Sequence, residues 1–201
     1  KAPADTLLRY ASFRRNEPFS EERVRAVIGS MLDYYEDNGF PFCEISFDRV
    51  AVDSAGCLVS LAVQENGRYY FGRLYSHGES ATRPAVIARI ARLPQGALFS
   101  QTELSRVRAR MSRSGLFESV GEPQVTVQQG RRVTDIHFTL AEGPQNSAEA
   151  MLGYSPGAGG AGRFAGYAHL ILGNIAGTCR RLSFDYAREQ PVMTADFTYR
   201  E

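Results

Sequence analysis

The feature that most restricts this chain is a change of hydrophobic period that occurs twice. In residues 19–39, Val24, Val27, Ile28, Met31, Leu32 and Tyr35 recur at three- and four-residue steps, the spacing of one helix face. Ser20 stands before the run as an N-cap, and Gly39 follows it where a left-handed residue can stop a helix. Past Gly39 the apolar residues fall on every second position: Cys43, Ile45 and Phe47, then Cys57, Val59, Leu61 and Val63 across a turn at 53–56. That spacing predicts a β-hairpin with one buried face. Residues 99–115 repeat the phrase, with Leu104, Val107, Met111 and Leu116 as the stripe and Ser114-Gly115 as the stop. Val125 and Val127, then Ile136, Phe138 and Leu140, repeat the hairpin around Gln129-Gly130-Arg131.

Each copy also has an apolar stretch ahead of its helices, at 7–13 and 69–75, suited to a leading strand. The unit is then strand, helices, strand, strand: a three-stranded sheet hiding its apolar face under two helices, a two-layer α+β sandwich. Leu93-Pro94-Gln95-Gly96 is a turn between helices, because proline disfavours helix before it and glycine supplies a left-handed position. Beyond Pro144 helical spacing disappears and glycine becomes frequent. Phe164, Ala168, Leu170 and Leu172 alternate with Ala165, Tyr167 and His169. Leu182, Phe184 and Tyr186 alternate with Arg181, Ser183 and Asp185, and Met193, Ala195, Phe197 and Tyr199 with Thr194, Asp196, Thr198 and Arg200. Strands of roughly ten residues with one aromatic, apolar face suit a membrane barrel with a wet lumen. A soluble antiparallel sheet gives the same alternation.

Twenty-three basic residues against 22 acidic ones leave a net charge of +1, which removes the electrostatic case for nucleic acid as a partner. Tyr69, Tyr70, Phe71 and Tyr75, a possible stacking platform for single strands, are better taken as sheet for the same reason. Nowhere do about 18 apolar residues run together, and the start at Lys1 has no apolar signal region, which fits a mature or trimmed N-terminus. Cys43, Cys57 and Cys179 are too few and too oddly spaced for a disulfide scaffold or zinc site, and are expected as free thiols. His77, His137 and His169 fall in three elements without metal-spaced neighbours, and no nucleophile motif occurs, so no catalytic residue, metal or cofactor is expected. The glycines of 157–160 lack the lysine of a phosphate loop and are expected in a turn. Glu65 and Glu142, which close the two copies, either anchor a module junction or lie on the surface.

The stretch from Tyr69 to Gly143 carries Gly78, Leu93-Pro94-Gln95-Gly96-Ala97-Leu98-Phe99, Ser114-Gly115-Leu116-Phe117 and Ala141-Glu142-Gly143-Pro144. In these phrases it resembles the POTRA modules (polypeptide-transport-associated domains) of BamA-type outer-membrane assembly factors. Residues 10–67 match more loosely, while Leu152-Gly153-Tyr154-Ser155 and Asn174-Ile175-Ala176-Gly177-Thr178 are similar to the family's entry into its barrel. The resemblance implies two POTRA modules, each a three-stranded sheet covered by two helices, and then antiparallel strands of an incomplete transmembrane β-barrel. Its boundaries would be 1–67, 68–146 for the module adjoining the barrel, and 147–201 for the first barrel strands, with the sequence stopping at Glu201 inside about the fourth as part of a larger protein.

The implied function is outer-membrane protein assembly and insertion, without enzymatic activity. Periplasmic modules would receive unfolded outer-membrane proteins, accessory lipoproteins or other subunits of an assembly complex by β-augmentation, and pass clients to a barrel set in outer-membrane lipid. In the family's topology the second strand of a module is its edge, here 42–50 and 122–128. Ile45, Phe47, Val125 and Val127 are then the core-facing residues that fix these client-binding edges. Phe164, Leu170, Leu182, Phe184, Phe197 and Tyr199 are the residues expected to face lipid. Two other readings stand beside this one: a two-partner-type secretion transporter exporting a passenger protein, and a soluble periplasmic adaptor with no barrel.

Overall fold

In the structure, a computed structural model that describes residues 20–53, 56–78, 80–156, 163–189 and 192–201, the first helical stripe forms α1 (Glu21–Asp37). The Ser20 side chain accepts the Arg23 amide at 3.5 Å as its N-cap, and Gly39 follows the helix with φ of +93°. Val24, Val27, Met31 and Tyr35 are the buried face. Strands β1 (Glu44–Asp53) and β2 (Gly56–Gln64) follow. They pair antiparallel from Glu44 opposite Gln64 to Asp53 opposite Gly56, with a bulge between Phe47 and Arg49. Cys57 lies opposite Val52 at the turn end of this ladder, and Cys43 precedes its other end. The leading strand expected at 7–13, the turn at 54–55 and the glycines of 157–160 lie outside the described residues.

The second copy comprises β3 (Tyr70–His77), α2 (Pro84–Ala91), α3 (Gln101–Ser112), β4 (Phe117–Val120), β5 (Gln124–Val127) and β6 (Val133–Glu142). Its sheet has the order β3-β6-β4, with β5 also on β6. Strand β6 is therefore central. Val125 stands opposite Ile136 along its first half and Val120 opposite Leu140 along its second. The alternation in the sequence does not predict β4. Phe117 and Val120 are buried with Glu118 and Ser119 exposed between them, and the register shifts between Phe117 and Ser119, so the strand does not display a period of two. Proline at the first position of α2 needs no amide partner, and Arg92 ends the helix in the left-handed region with φ of +49°. The turn expected at Gln95-Gly96 is present.

The chain divides into two compact units, and the boundary cuts through β3, α3 and β6. One unit runs to Tyr75 and includes Leu93–Val107 and Gln124–His137; the other holds Ser76–Arg92, Arg108–Pro123 and Phe138–Glu201. In the first unit Tyr35 meets Phe40 edge to face at 5.5 Å, and Phe71 lies 5.0 Å from Phe99. Leu104, Val107 and Ile136 are buried in it as well. In the second unit Ile87, Ala91, Met111, Leu116, Phe138 and Leu140 are buried, and the Arg110 guanidinium donates to the Ala91 carbonyl at 2.9 Å, closing the end of α2. The same unit carries β7 (Asn146–Ser155), β8 (Arg163–Leu172), β9 (Arg181–Glu189) and β10 (Val192–Arg200), an antiparallel sheet in chain order.

Inside the first unit the two copies are joined by a borrowed helix cap. Ser100 caps α3 by accepting the Glu103 amide at 3.2 Å, and Asp37, the last residue of α1, accepts the Thr102 amide at 2.8 Å. The hydroxyls of Ser100 and Thr102 donate to the same carboxylate at 2.8 and 2.7 Å. The Tyr69 amide donates to the Gly39 carbonyl at 2.8 Å beside it. Partial burial raises the Asp37 pKa, but the Thr102 and Ser100 hydrogen bonds and Arg106 outweigh it and hold the carboxyl below its ordinary 3.8. A depressed carboxyl contributes stability above its unfolded pKa and loses it as pH falls through the folded value. Asp37→Ala is therefore expected to lower stability by about 1 kcal/mol at neutral pH, the usual worth of an N-cap. Denaturant midpoints of the two proteins should converge as the medium is acidified below the ordinary aspartate range; a constant gap would argue against the cap.

Candidate functional site

Three surfaces bear on function: the module edges, the faces of the β7–β10 sheet, and a polar joint between β6 and that sheet. At the edges, β1 pairs only with β2, and β5 only with β6, among the described residues. Ile45 and Val125 are half-buried, opposite Val63 and Ile136. Phe47 and Val127 differ from the core-facing expectation, being 55% and 45% exposed. Phe47 sits directly before the β1 bulge, which breaks the alternation there. Val127 is the last residue of a four-residue strand. The four residues thus form two separate pairs on two strands.

Register fixes the faces of the last sheet. Leu170 pairs with Phe184 and Phe184 with Phe197, one apolar row across three strands, while Leu182 pairs with Tyr199 and Phe164 with Tyr154. This row is uncovered: Leu170, Phe184 and Phe197 are 37%, 38% and 67% exposed. Phe164 and Tyr199 are exposed too, and Leu182 is half-buried. The next row, on the opposite face, is Glu149, His169, Asp185 and Asp196. His169 hydrogen-bonds Asp185, and the Tyr167 hydroxyl donates to Glu149 at 3.2 Å. No helix among the described residues is long and apolar enough to cross a membrane, and none of their His, Cys, Asp and Glu side chains cluster as a metal site. Burial, then Glu65, Glu36 and Glu44, push the Cys43 thiol up to about 11, which makes it a poor nucleophile at neutral pH.

The joint gathers residues 80–83, the end of β6 and the β8–β9 turn, all in the second unit. Glu142 Oε1 accepts the Ser80 hydroxyl at 2.5 Å and the Thr82 amide at 2.7 Å, and Oε2 accepts the Asn174 side-chain amide at 3.4 Å. Asn174 also donates to the Thr82 hydroxyl oxygen at 2.8 Å and accepts the Cys179 amide at 2.9 Å. Thr82 and Asn174 are 4% and 9% exposed. The Arg83 amide donates to the Gly177 carbonyl and its guanidinium to the Ala176 carbonyl, both at 3.0 Å. A Cβ on Gly177 would stand 2.2 Å from the Ala81 carbonyl oxygen, so the two backbones meet where no side chain fits. Asn174, Ala176 and Cys179 all have positive φ, a conformation costing roughly 1 kcal/mol or more for each non-glycine residue and kept only where surroundings impose it. Partial burial raises the Glu142 pKa, but Ser80, Thr82 and the Ala81 amide outweigh it and hold the carboxyl below its ordinary 4.5.

Of the two glutamates flagged in the sequence, Glu142 is thus an anchor. Glu65 accepts the Tyr35 hydroxyl at 3.5 Å, tying the end of β2 to α1. Ser80 and Thr82 carry no signal of their own. Asn174 is legible as a turn residue, but the residues it meets lie 92 and 32 positions away.

Residues 69–143 match the family described as POTRA, surface antigen variable number repeat. A curated relative, the outer membrane protein assembly factor BamA of Nitratidesulfovibrio vulgaris, is 27% identical over 141 residues, which cover 70% of this chain and 18% of the relative. The solved BamA of Haemophilus ducreyi lacking POTRA domains 1–3 superposes with a TM-score of 0.73 at 18% identity, over 97% of this chain and 36% of that one. POTRA domains 3–5 of Haemophilus influenzae BamA superpose with a TM-score of 0.57 at 17% identity, over 69% of this chain and 54% of that one. The present chain thus spans under a fifth of the curated relative's length. Residues 69–143 thus match a POTRA module, and the α+β fold that passes from modules into antiparallel barrel strands is similar to that of the BamA-type family.

Proposed function

We propose that this chain is the part of an outer-membrane protein assembly and insertion factor where periplasmic modules hand clients to a barrel. The module boundaries proposed are 1–67 and 68–146, with barrel strands from 147. The observation that carries the reading is the passage from a POTRA module whose edge strand has one partner among the described residues directly into a sheet whose apolar row, Leu170, Phe184 and Phe197, is exposed. In water, an exposed row of that size is a liability; in lipid it is the required outer face. The opposite face, with Glu149, His169, Asp185 and Asp196, suits a wet lumen. The partners are then unfolded outer-membrane proteins, accessory lipoproteins or other subunits of an assembly complex, and outer-membrane lipid, with the modules in the periplasm.

Clients would add as extended strands to β1 or β5. Backbone hydrogen bonds supply affinity with little sequence demand, which suits a receptor for many different chains. Ile45 and Val125 hold those strands from the half-buried side, and the exposed Phe47 and Val127 offer apolar contact to the incoming chain.

A photo-crosslinking residue at the exposed Thr126 on β5 should capture nascent outer-membrane proteins in cells, and one at the exposed Arg89 on α2 should not. Depletion of the protein should lower other barrel proteins in the outer membrane; normal levels with no crosslinks would overturn the assembly reading. For the barrel face, Phe197→Arg should destabilise the protein in lipid by about 2–4 kcal/mol if it sits near the midplane, and Thr198→Arg by far less. Equal effects in unfolding from lipid vesicles would show that the two faces do not differ in solvent.

A further inference from the structure

We infer that Glu142 is a positioning residue: through Thr82 and Asn174 its carboxylate holds the β8–β9 turn against residues 80–83, and so fixes where the first barrel strands start relative to the end of β6. The role rests on the assembly reading above, in which a client leaving the module must meet the barrel strands at a constant place.

The joint is more elaborate than closing a hairpin requires. Strands β8 and β9 pair from Leu172 opposite Leu182, and the intervening residues close by hydrogen bonds within the turn, such as Thr178 to Ile175 and Gly177 to Asn174. Beyond these, the turn places three non-glycine residues at positive φ, and its carbonyls at Ala176 and Gly177 are taken by Arg83. Its buried amide, Asn174, spends both donor contacts on Thr82 and Glu142. The strain and the buried amide are accommodated only while those outside partners are in place. On the other side, Ser80 and Thr82 direct their donors to the same carboxylate. Glu142 is thus an acceptor shared by both segments. The neighbouring connection follows suit: the Gly173 amide donates to the Gln145 carbonyl at 3.0 Å, and Gln145 donates to the Leu116 carbonyl at 2.9 Å. Strands β7 and β8 are therefore tied to the same side of the joint.

The test exploits the polarity of the Glu142–Asn174 contact in the full-length protein reconstituted in lipid nanodiscs. E142Q sets one amide group against another, and N174D sets two carboxylates together. The combination E142Q with N174D exchanges donor for acceptor and restores the contact, the Thr82 hydroxyl then donating to the new carboxylate. Hydrogen exchange of the Arg83 and Cys179 amides reports the joint directly, because one is held by the Gly177 carbonyl and the other by the Asn174 side chain. Each single variant should speed both amides by roughly tenfold or more, as expected for a buried polar group deprived of its partner. The double variant should return toward the native rate, and client insertion should follow the same order. T82V, which removes one hydroxyl, serves as the milder lesion if a single variant does not fold, and should move both amides the same way. Unchanged exchange, or a double variant as loose as the singles, overturns the latch. Faster exchange with normal insertion overturns the positioning role, while client crosslinks at Thr126 would leave the assembly reading standing. Absence of those crosslinks from the native protein, with normal levels of other barrel proteins on depletion, removes that reading and the role with it.

Discussion

Everything in this chain turns on how the apolar face of an amphipathic sheet is kept from water. In the second module the answer is helices from the same chain. Ile136, Phe138 and Leu140 project from the central strand and are no more than 1% exposed, and α2 and α3 contribute Ile87, Leu104, Val107 and Met111 to the buried set. In the last sheet the same alternation runs through Leu170, Phe184 and Phe197, yet these remain open. The sequence rule is identical in both places; the cover differs. In water a continuous apolar row is not normally left open, and under the proposed function lipid is the cover of the last sheet.

Joints between such layers have the opposite problem, because they bring backbone ends and turns together and must satisfy them. Two carboxylates do this in similar ways. Asp37 ends one helix and completes the cap of another, 65 residues along, while Glu142 ends a strand and receives donors 60 and 32 residues away. Both are held below their ordinary pKa because hydrogen bonds to the charged form outweigh partial burial. Charge-assisted bonds of this kind are short and directional, so they set position where an apolar contact would tolerate sliding.

The sequence made the periodic part of this architecture legible. The stripe of α1, the ends of both helical runs and the hairpin of β5 with β6 follow from steps of three, four and two residues together with Ser20, Gly39 and Gly115. Strand β4 escaped because a register shift between Phe117 and Ser119 breaks its alternation, leaving Phe117 and Val120 buried with two exposed residues between them. The exposure of Phe47 escaped because alternation places it on the face of half-buried Ile45, opposite Leu61, and does not report how far along the strand that face is covered. Most of the joint was hidden for a deeper reason. Ser80, Thr82 and Asn174 acquire their role only when distant segments meet, and each alone is an ordinary loop residue. Glu142 was visible as a possible anchor, since it closes a strand at a position that Glu65 echoes in the first copy, and both do accept a hydrogen bond from elsewhere in the chain.

Unpaired strand edges carry a last consequence, which depends on the solvent they meet. An open ladder in water, such as the side of β1 or β5 that has no partner strand among the described residues, is hydrated and marginally costly, so it can accept an extended partner and release it again. The same open ladder in hydrocarbon loses several kcal/mol per unsatisfied group, with no water to replace the bond. Strands β7 and β10 each have one partner among the described residues. If their apolar face lies in lipid, their outer edges must be met by other strands, whether of the barrel or of a client. Under the proposed function, a single rule, that backbone donors and acceptors find partners, permits reversible capture at the modules and demands closure at the barrel. On that proposal, a client would move from the tolerant edge to the demanding one.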